Sequence, residues 1–260
     1  ESRPISARHH MPTTLPPLPS GRHLELCLLP PAETADEVCL GGNVWPAAPV
    51  LCSWLARQGV KGLSIVELGA GVGGCGLFAS ALGAAHVVCT EGGPDTEKLL
   101  PLIQRSVQCS RSAIGSNVDV AALHWGCASH ALPSSPFNLI LGSDIVWADD
   151  DDNHLALCAT IRDLLWRDQA LRPRAILAVQ HGLRIADRQG SSLLVDETIE
   201  QLCAAACAHG LCVTPADSTA AGSVEGAAAS PTIRSGDGML LWPASSFDAA
   251  AVCVLELTIS

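Results

Sequence analysis

The chain contains no tyrosine, only three phenylalanines and six tryptophans, so aromatics make up 3% of its 260 residues. With 48% apolar residues a sizeable core is still affordable, but it must be built from Ala, Leu, Val, Ile and Cys. Basic residues are also scarce. Fifteen Lys and Arg face 26 Asp and Glu, for a net charge of −11, and no basic cluster occurs. That excludes a nucleic-acid partner gripped through its phosphates. It suits a basic partner such as a lysine-bearing protein, although solubility alone also explains it. No apolar stretch reaches the roughly 18 residues of a membrane span, so no membrane partner is expected. The N-terminus lacks an apolar h-region and is not expected to be a signal peptide. The twelve cysteines include no CxxC pair. Zinc ligands come in close pairs, and small disulfide scaffolds are short and loop-rich. Most of these cysteines sit in apolar runs such as "HVVCT" and "AVCVLEL". They are expected to be buried free thiols in a reducing compartment, the cytoplasm or also the nucleus.

What is present is an alternation. Residues 1–22 are rich in Pro, Ser and Thr and are expected to be disordered. "HLELCLL" (23–29) reads as a short strand. Gly41-Gly42 mark a turn, Pro46 suits a first helical position, and Gly59 ends a helix over 47–58. Strands are expected at 63–68, 86–91, 117–125, 137–144 and 174–180, with helices at 73–83, 95–108, 152–166 and 192–210. Pro101 predicts a kink in the second of these helices. Two closing strands are expected at 211–216 and 250–260. Between them, 217–247 is rich in Ala, Ser and Gly and reads as a flexible insertion, with a short strand near 238–244. The fold class is therefore α/β, a mostly parallel sheet with an antiparallel terminal strand and helices on both faces, in one domain over 23–260.

The chemistry concentrates in "VELGAGVGGCG" (66–76), between a strand and a helix. Gly69, Gly71 and Gly73 suit a backbone that approaches a ligand, and Gly76 suits close packing of the helix on the sheet. Glu91 ends the second strand, 22 residues after Gly69, where a carboxylate can accept hydrogen bonds from both ribose hydroxyls. A dinucleotide loop spaces its glycines GxGxxG so that a helix N-terminus meets pyrophosphate. Here the spacing is GxGxG, and Glu67 precedes the first glycine. A carboxylate there is unwelcome beside pyrophosphate and welcome beside a cation. S-adenosyl-L-methionine carries an ammonium and a sulfonium and no phosphate.

"ELGAGVG" resembles the first motif of the seven-strand methyltransferases. "VWPAAPVLCSWL" (44–55), "VELGAGVGGCGLFASALGA" (66–84), "LHWG" (123–126) and "FNLILGSDIVW" (137–147) follow in an order that resembles the family-16 protein-lysine methyltransferases. The resemblance spans roughly residues 40–210. It implies a Rossmann-like seven-strand methyltransferase sheet, S-adenosyl-L-methionine as cofactor, and a protein substrate presenting a lysine. No metal is implied, and a monomer is the default.

Carried over by position, the resemblance implies that Trp45 borders the cofactor's methionine end. Glu67, Gly69, Gly71 and Gly73 form the cofactor loop, Glu91 binds the ribose and Trp125 packs on the adenine. Asp144 opens a D-x-x-Y-like motif beside the transferred methyl group, where it is expected both to bind the cofactor and to orient the amine. Its fourth residue is Trp147 in place of Tyr, which keeps an aromatic wall for a cation but loses the phenol oxygen. Arg184, after the fifth strand, is a weaker substrate-side candidate. The run "DDDD" (149–152) reads first as a solvated helix start and secondly as an attractor for a basic segment. Small-molecule or protein-histidine methylation, or a non-catalytic cofactor-binding relative, stand as alternatives.

Overall fold

The computed structural model describes residues 14–30, 39–115, 117–127, 132, 136–147, 151–166, 171–180, 183–188, 191–216, 232–233, 240–241 and 252–259. A seven-stranded sheet forms its middle. The strands are β1 (Ser64–Leu68), β2 (His86–Glu91), β3 (Val118–Ala122), β4 (Leu139–Ser143) and β5 (Arg174–Gln180). They are joined by β8 (Leu211–Pro215) and β11 (Val252–Ile259), in the order β3-β2-β1-β4-β5-β11-β8. The first five are parallel. The chain's last strand, β11, is antiparallel to both neighbours, as expected, but it lies inside the sheet between β5 and β8.

Both faces of the parallel strands are covered, which explains why they read as nearly continuous apolar runs. Ile65, Val87, Leu139 and Ile176 point to one side, where they meet Leu51 and Leu55 of α1 (Ala47–Gln58) and Phe78 of α2 (Gly74–Ala81). Val66, Val88, Ile140 and Leu177 point to the other side. There they meet α4 (Asp151–Trp166) and α5 (Glu197–Ala208) through Leu157, Ile161 and Leu202. Helix α3 (Thr96–Cys109) contains Pro101 and buries Leu99, Leu102 and Ile103. Successive strands step outward from β1 to β2 to β3 on one side, whereas β4 lies on β1's other side. The strand order thus reverses between β1 and β4, and the carboxyl ends there open the crevice in which such sheets bind ligands.

Several expectations are corrected. Residues 23–29 pair with no strand among the described residues; the backbone N–H groups of Glu25 and Cys27 donate to Ser110 Oγ (3.0 Å) and Ser106 Oγ (2.9 Å) of the α3 region. Two serines in register with this segment replaced the strand ladder. Within 14–22, where composition suggested disorder, Leu18 is buried and Leu15 packs on the α1–α2 cluster. Residues 192–210 are not one helix. Ser191–Asp196 is a strand, β7, antiparallel to β6 (Leu183–Arg188). Asp196 then caps α5, accepting from the Ile199 N–H at 3.3 Å. A capping acid therefore sets the helix start later than the apolar periodicity does. Pro46 is the N-cap of α1, not its first residue. Only half of the cysteines are buried; Cys109, Cys127, Cys207 and Cys212 are exposed. The 217–247 insertion lies outside the described residues, apart from β9 (Thr232–Ile233) and β10 (Leu240–Leu241), which pair antiparallel. Residues 1–13 also lie outside them, as do Asp149 and Asp150.

Candidate functional site

A cleft of about 300 Å³ opens at the carboxyl ends of β1, β2 and β4. Trp45, Glu67, Gly69, Gly71, Glu91, Trp125, Asp144 and Trp147 all line it. Gly73 does not. It is the N-cap of α2, at φ 83°, and its part is to turn the loop into the helix. Arg184 lies on β6, and its side chain is outside the described residues.

The loop after β1 is built on left-handed backbone. Gly69 and Gly71 both have φ 58°, a conformation that L side chains rarely adopt. A Cβ on Gly71 would stand 2.9 Å from the carbonyl oxygen of Gly41, so two backbone segments touch there. Carboxylates hold this loop from below. Glu91 Oε1 accepts the Gly71 N–H at 2.5 Å and Oε2 that of Gly92 at 3.2 Å. Burial raises its pKa, while those two N–H groups oppose the rise. Glu67 is buried, and its Oε2 accepts the Gly76 N–H at 2.8 Å. Gly76 is in the first turn of α2, so Glu67 caps a helix whose own N-cap, a glycine, has no side chain to do so. Burial pushes the Glu67 carboxyl up to about 7. A Cβ on Gly76 would lie 2.7 Å from Glu67 Oε2 and 2.5 Å from Cys89 Sγ. That glycine is required by close approach of the helix to the strands.

The mouth is assembled differently. Asp144 follows β4 with φ 53°, a left-handed conformation that is uncommon and costly for a non-glycine. Its Oδ2 accepts the Ala47 N–H at 2.6 Å, capping α1, and its Oδ1 accepts from Gln180 Nε2 at 2.7 Å. Trp45, just before α1, donates from Nε1 to the Leu40 carbonyl at 2.6 Å. Its ring meets Trp147 edge to face, with centroids 4.9 Å apart and planes at 89°. Trp147 is 36% exposed and forms the outer lip. Trp125 Cζ2 would lie 3.5 Å from a Cβ on Gly69, which puts the indole against the glycine loop.

Sequence reading missed Gln180, Asp95 and Ser143. Gln180 stands at the end of β5, and the register that pairs Ser143 with Ala178 brings it beside Asp144. Only strand pairing carries that signal. Asp95, the N-cap residue of α3, joins Glu67, Glu91 and Asp144 as a fourth carboxyl group in the lining. No Lys, Arg or His is among the described lining residues. No group of three or more His, Cys, Asp or Glu able to hold a metal occurs among the described residues, and no described helix is long and apolar enough to cross a membrane.

Comparison with known proteins agrees in kind. A family model for lysine methyltransferases matches residues 30–181, over half of the chain. The chain is 37% identical over 109 residues to a protein N-lysine methyltransferase, METTL21A, of Danio rerio, covering 41% of this chain and 48% of that protein. It is 31% identical over 181 residues to the protein-lysine methyltransferase METTL21E of Mus musculus, covering 62% of this chain and 69% of that one. The chain thus spans about half the length of the first of these relatives. Among solved structures, the glycopeptide N-methyltransferase MtfA complexed with S-adenosyl-L-methionine aligns at a TM-score of 0.53 and 11% identity. That alignment covers 80% of this chain and 86% of the other, and it shows a shared fold.

Proposed function

Because this chain belongs to the lysine methyltransferase family, we propose that it transfers a methyl group from S-adenosyl-L-methionine to a lysine side chain of a protein substrate. The observation that carries the reading is the sign of the cleft. Four carboxyl groups line it, and no basic side chain does among the described residues. A pyrophosphate-bearing dinucleotide needs a helix N-terminus free to meet its phosphates, whereas the first turn of α2 is already capped by the Glu67 carboxyl group. A cofactor with an ammonium and a sulfonium fits this donor set, and so does a lysine.

Glu67, Gly69 and Gly71 would hold the cofactor's amino-acid end, Glu91 its ribose, and Trp125 its adenine. When bound, the cofactor supplies an electrophilic methyl group on a positively charged sulfur. The chain's own residues align and desolvate. Trp45 and Trp147 present aromatic faces and edges to a cationic side chain at the lip. The acceptor ammonium must lose its proton to water before its nitrogen can attack. The carboxylate of Asp144, fixed by α1 and Gln180, orients the amine and forms no covalent bond. Holding the two reactants in line is the main source of rate here. A non-catalytic, cofactor-binding chain is the second reading, and one observation favours it: both oxygens of Asp144 already accept hydrogen bonds within the protein.

The test is transfer of labelled methyl from S-adenosyl-L-methionine into lysate proteins, followed by mass spectrometry. Methylated lysine in a discrete protein band supports the proposal. Label appearing only in small-molecule extracts, on histidine, or nowhere overturns it.

A further inference from the structure

The exposed Cys109 meets a half-buried cysteine, Cys27. Cys27 lies on the segment 22–30, and Cys109 is the last residue of α3. Their sulfurs are 3.7 Å apart although 82 residues separate them in sequence. The register against the α3 region is fixed at Cys27 and on its N-terminal side. Its own N–H donates to Ser106 Oγ at 2.9 Å, and the Glu25 N–H donates to Ser110 Oγ at 3.0 Å. Ser110 Oγ in turn donates to the Glu25 carbonyl at 3.0 Å. The Arg22 guanidinium donates to the Ser112 carbonyl just beyond α3. Cys109 is exposed and Cys27 half-buried, so small reagents reach them. A second thiol pair among the described residues, Cys52 and Cys75, is buried.

The same segment leans on the cleft. The Leu29 N–H donates to the Gly42 carbonyl at 2.9 Å. A Cβ on Gly42 would stand 2.7 Å from Leu29 Cδ1. Gly42 ends the short 3-10 turn Leu40–Gly42, whose Leu40 and Gly41 line the cleft and whose Gly41 abuts Gly71.

We propose that Cys27 and Cys109 are a redox-active dithiol, oxidised by peroxides to a disulfide that staples segment 22–30 to α3 and tightens the Leu40–Gly42 wall of the cleft. Cys27 beside it raises the Cys109 pKa, so the reacting species is the small thiolate fraction of the more exposed Cys109; it attacks one peroxide oxygen, the O–O bond breaks, and with the thiol's proton a sulfenic acid and water form. The Cys27 sulfur then attacks the sulfenic sulfur, the S–S bond forms, and the hydroxyl leaves as water. In sum two thiols lose two electrons and two protons, and hydrogen peroxide becomes two waters. The sulfurs need to close from 3.7 Å to about 2.05 Å, the length of the bond. In a reducing compartment such a pair is transient and serves sensing.

The experiment treats the whole chain with hydrogen peroxide, blocks remaining thiols with N-ethylmaleimide, and reads non-reduced peptides by mass spectrometry. A Cys27–Cys109 linked peptide, lighter by two hydrogens, is expected. Amide hydrogen exchange over residues 22–30 and 39–42 is expected to slow about tenfold in the oxidised chain. Cys27→Ser keeps the side-chain size and is expected to lose both effects. If both cysteines carry maleimide while other thiols pair, the dithiol is refuted. Unchanged exchange at 39–42 in the linked chain refutes the coupling to the cleft. Slowed exchange in peroxide-treated Cys27→Ser refutes the staple as its cause. None of these readouts uses methyl transfer, so they stand or fall apart from the proposed activity.

Discussion

The two halves of the cleft are both acidic and are built on opposite principles. In the loop half, Glu67 and Glu91 accept hydrogen bonds from the backbone of the glycine segment itself, at Gly76, Gly71 and Gly92. Their carboxylates are part of the loop's architecture. In the mouth half, Asp144 reaches across to a different helix and a different strand, and two indoles meet edge to face in the same lining. The loop half is local in sequence, within 64–92. The mouth half joins residues near 45, 145 and 180. On the proposed reading the loop half would hold the cofactor, and the mouth, fixed by long-range contacts, would receive the acceptor.

The largest expected effect tests whether Glu67 is as deeply desolvated as the loop half requires. Its pKa is raised by burial from 4.5 to about 7. The folded protein therefore holds a proton there that the unfolded chain has released. Wild-type stability from this group is full below about 4.5 and is lost as pH rises through about 7. Glu67→Gln removes the titration. The variant is expected to gain on wild type by up to about 3 kcal/mol between pH 4.5 and pH 8, on the order set by 1.36 kcal/mol per pKa unit. Urea melts at several pH values check it; a pH-independent difference breaks the account of this half.

Next in size is Asp144→Ala. It removes the α1 cap and the partner of Gln180 together, and misplacing the acceptor is expected to cost about 100-fold in kcat. Cofactor affinity is expected to change little. Steady-state rates and a binding titration separate the two; an equal loss in both would merge the halves. Glu91→Ala is the mirror image. It is expected to weaken cofactor binding about tenfold or more, because charge-assisted hydrogen bonds contribute about 1.5–3 kcal/mol, and to leave kcat at saturation close to wild type. The smallest effect is expected from Trp147→Leu. Losing the edge-to-face contact with Trp45 costs about 0.5–1.5 kcal/mol, read as a rise in KM for the protein substrate with cofactor affinity intact.

The same contrast explains what could be read from the sequence. The loop half was legible because strand, glycine spacing and acid lie within 28 consecutive residues, 64–91, and each has a local physical meaning. Eight of the ten candidate residues line one cleft; Gly73 caps α2 instead, and the Arg184 side chain lies outside the described residues. Gln180 was not legible as a partner of Asp144, since only β4–β5 pairing joins them. Nor was the strap at 22–30, whose alternation resembles a strand but whose bonds go to serine hydroxyls on a helix. The β6–β7 hairpin was hidden because "SSLLVD" runs without a break into the apolar pattern of α5. For Glu67 the sequence suggested a place beside a cation; the structure adds that its carboxylate caps α2.

The most direct test of the central claim is a calorimetric titration of the chain with S-adenosyl-L-methionine at pH 6 and at pH 8, with NAD as the comparison ligand. Single-site binding of S-adenosyl-L-methionine is expected, tighter at pH 8 as Glu67 loses its proton, with no binding of NAD. Binding of NAD, or no binding of S-adenosyl-L-methionine at either pH, would contradict it.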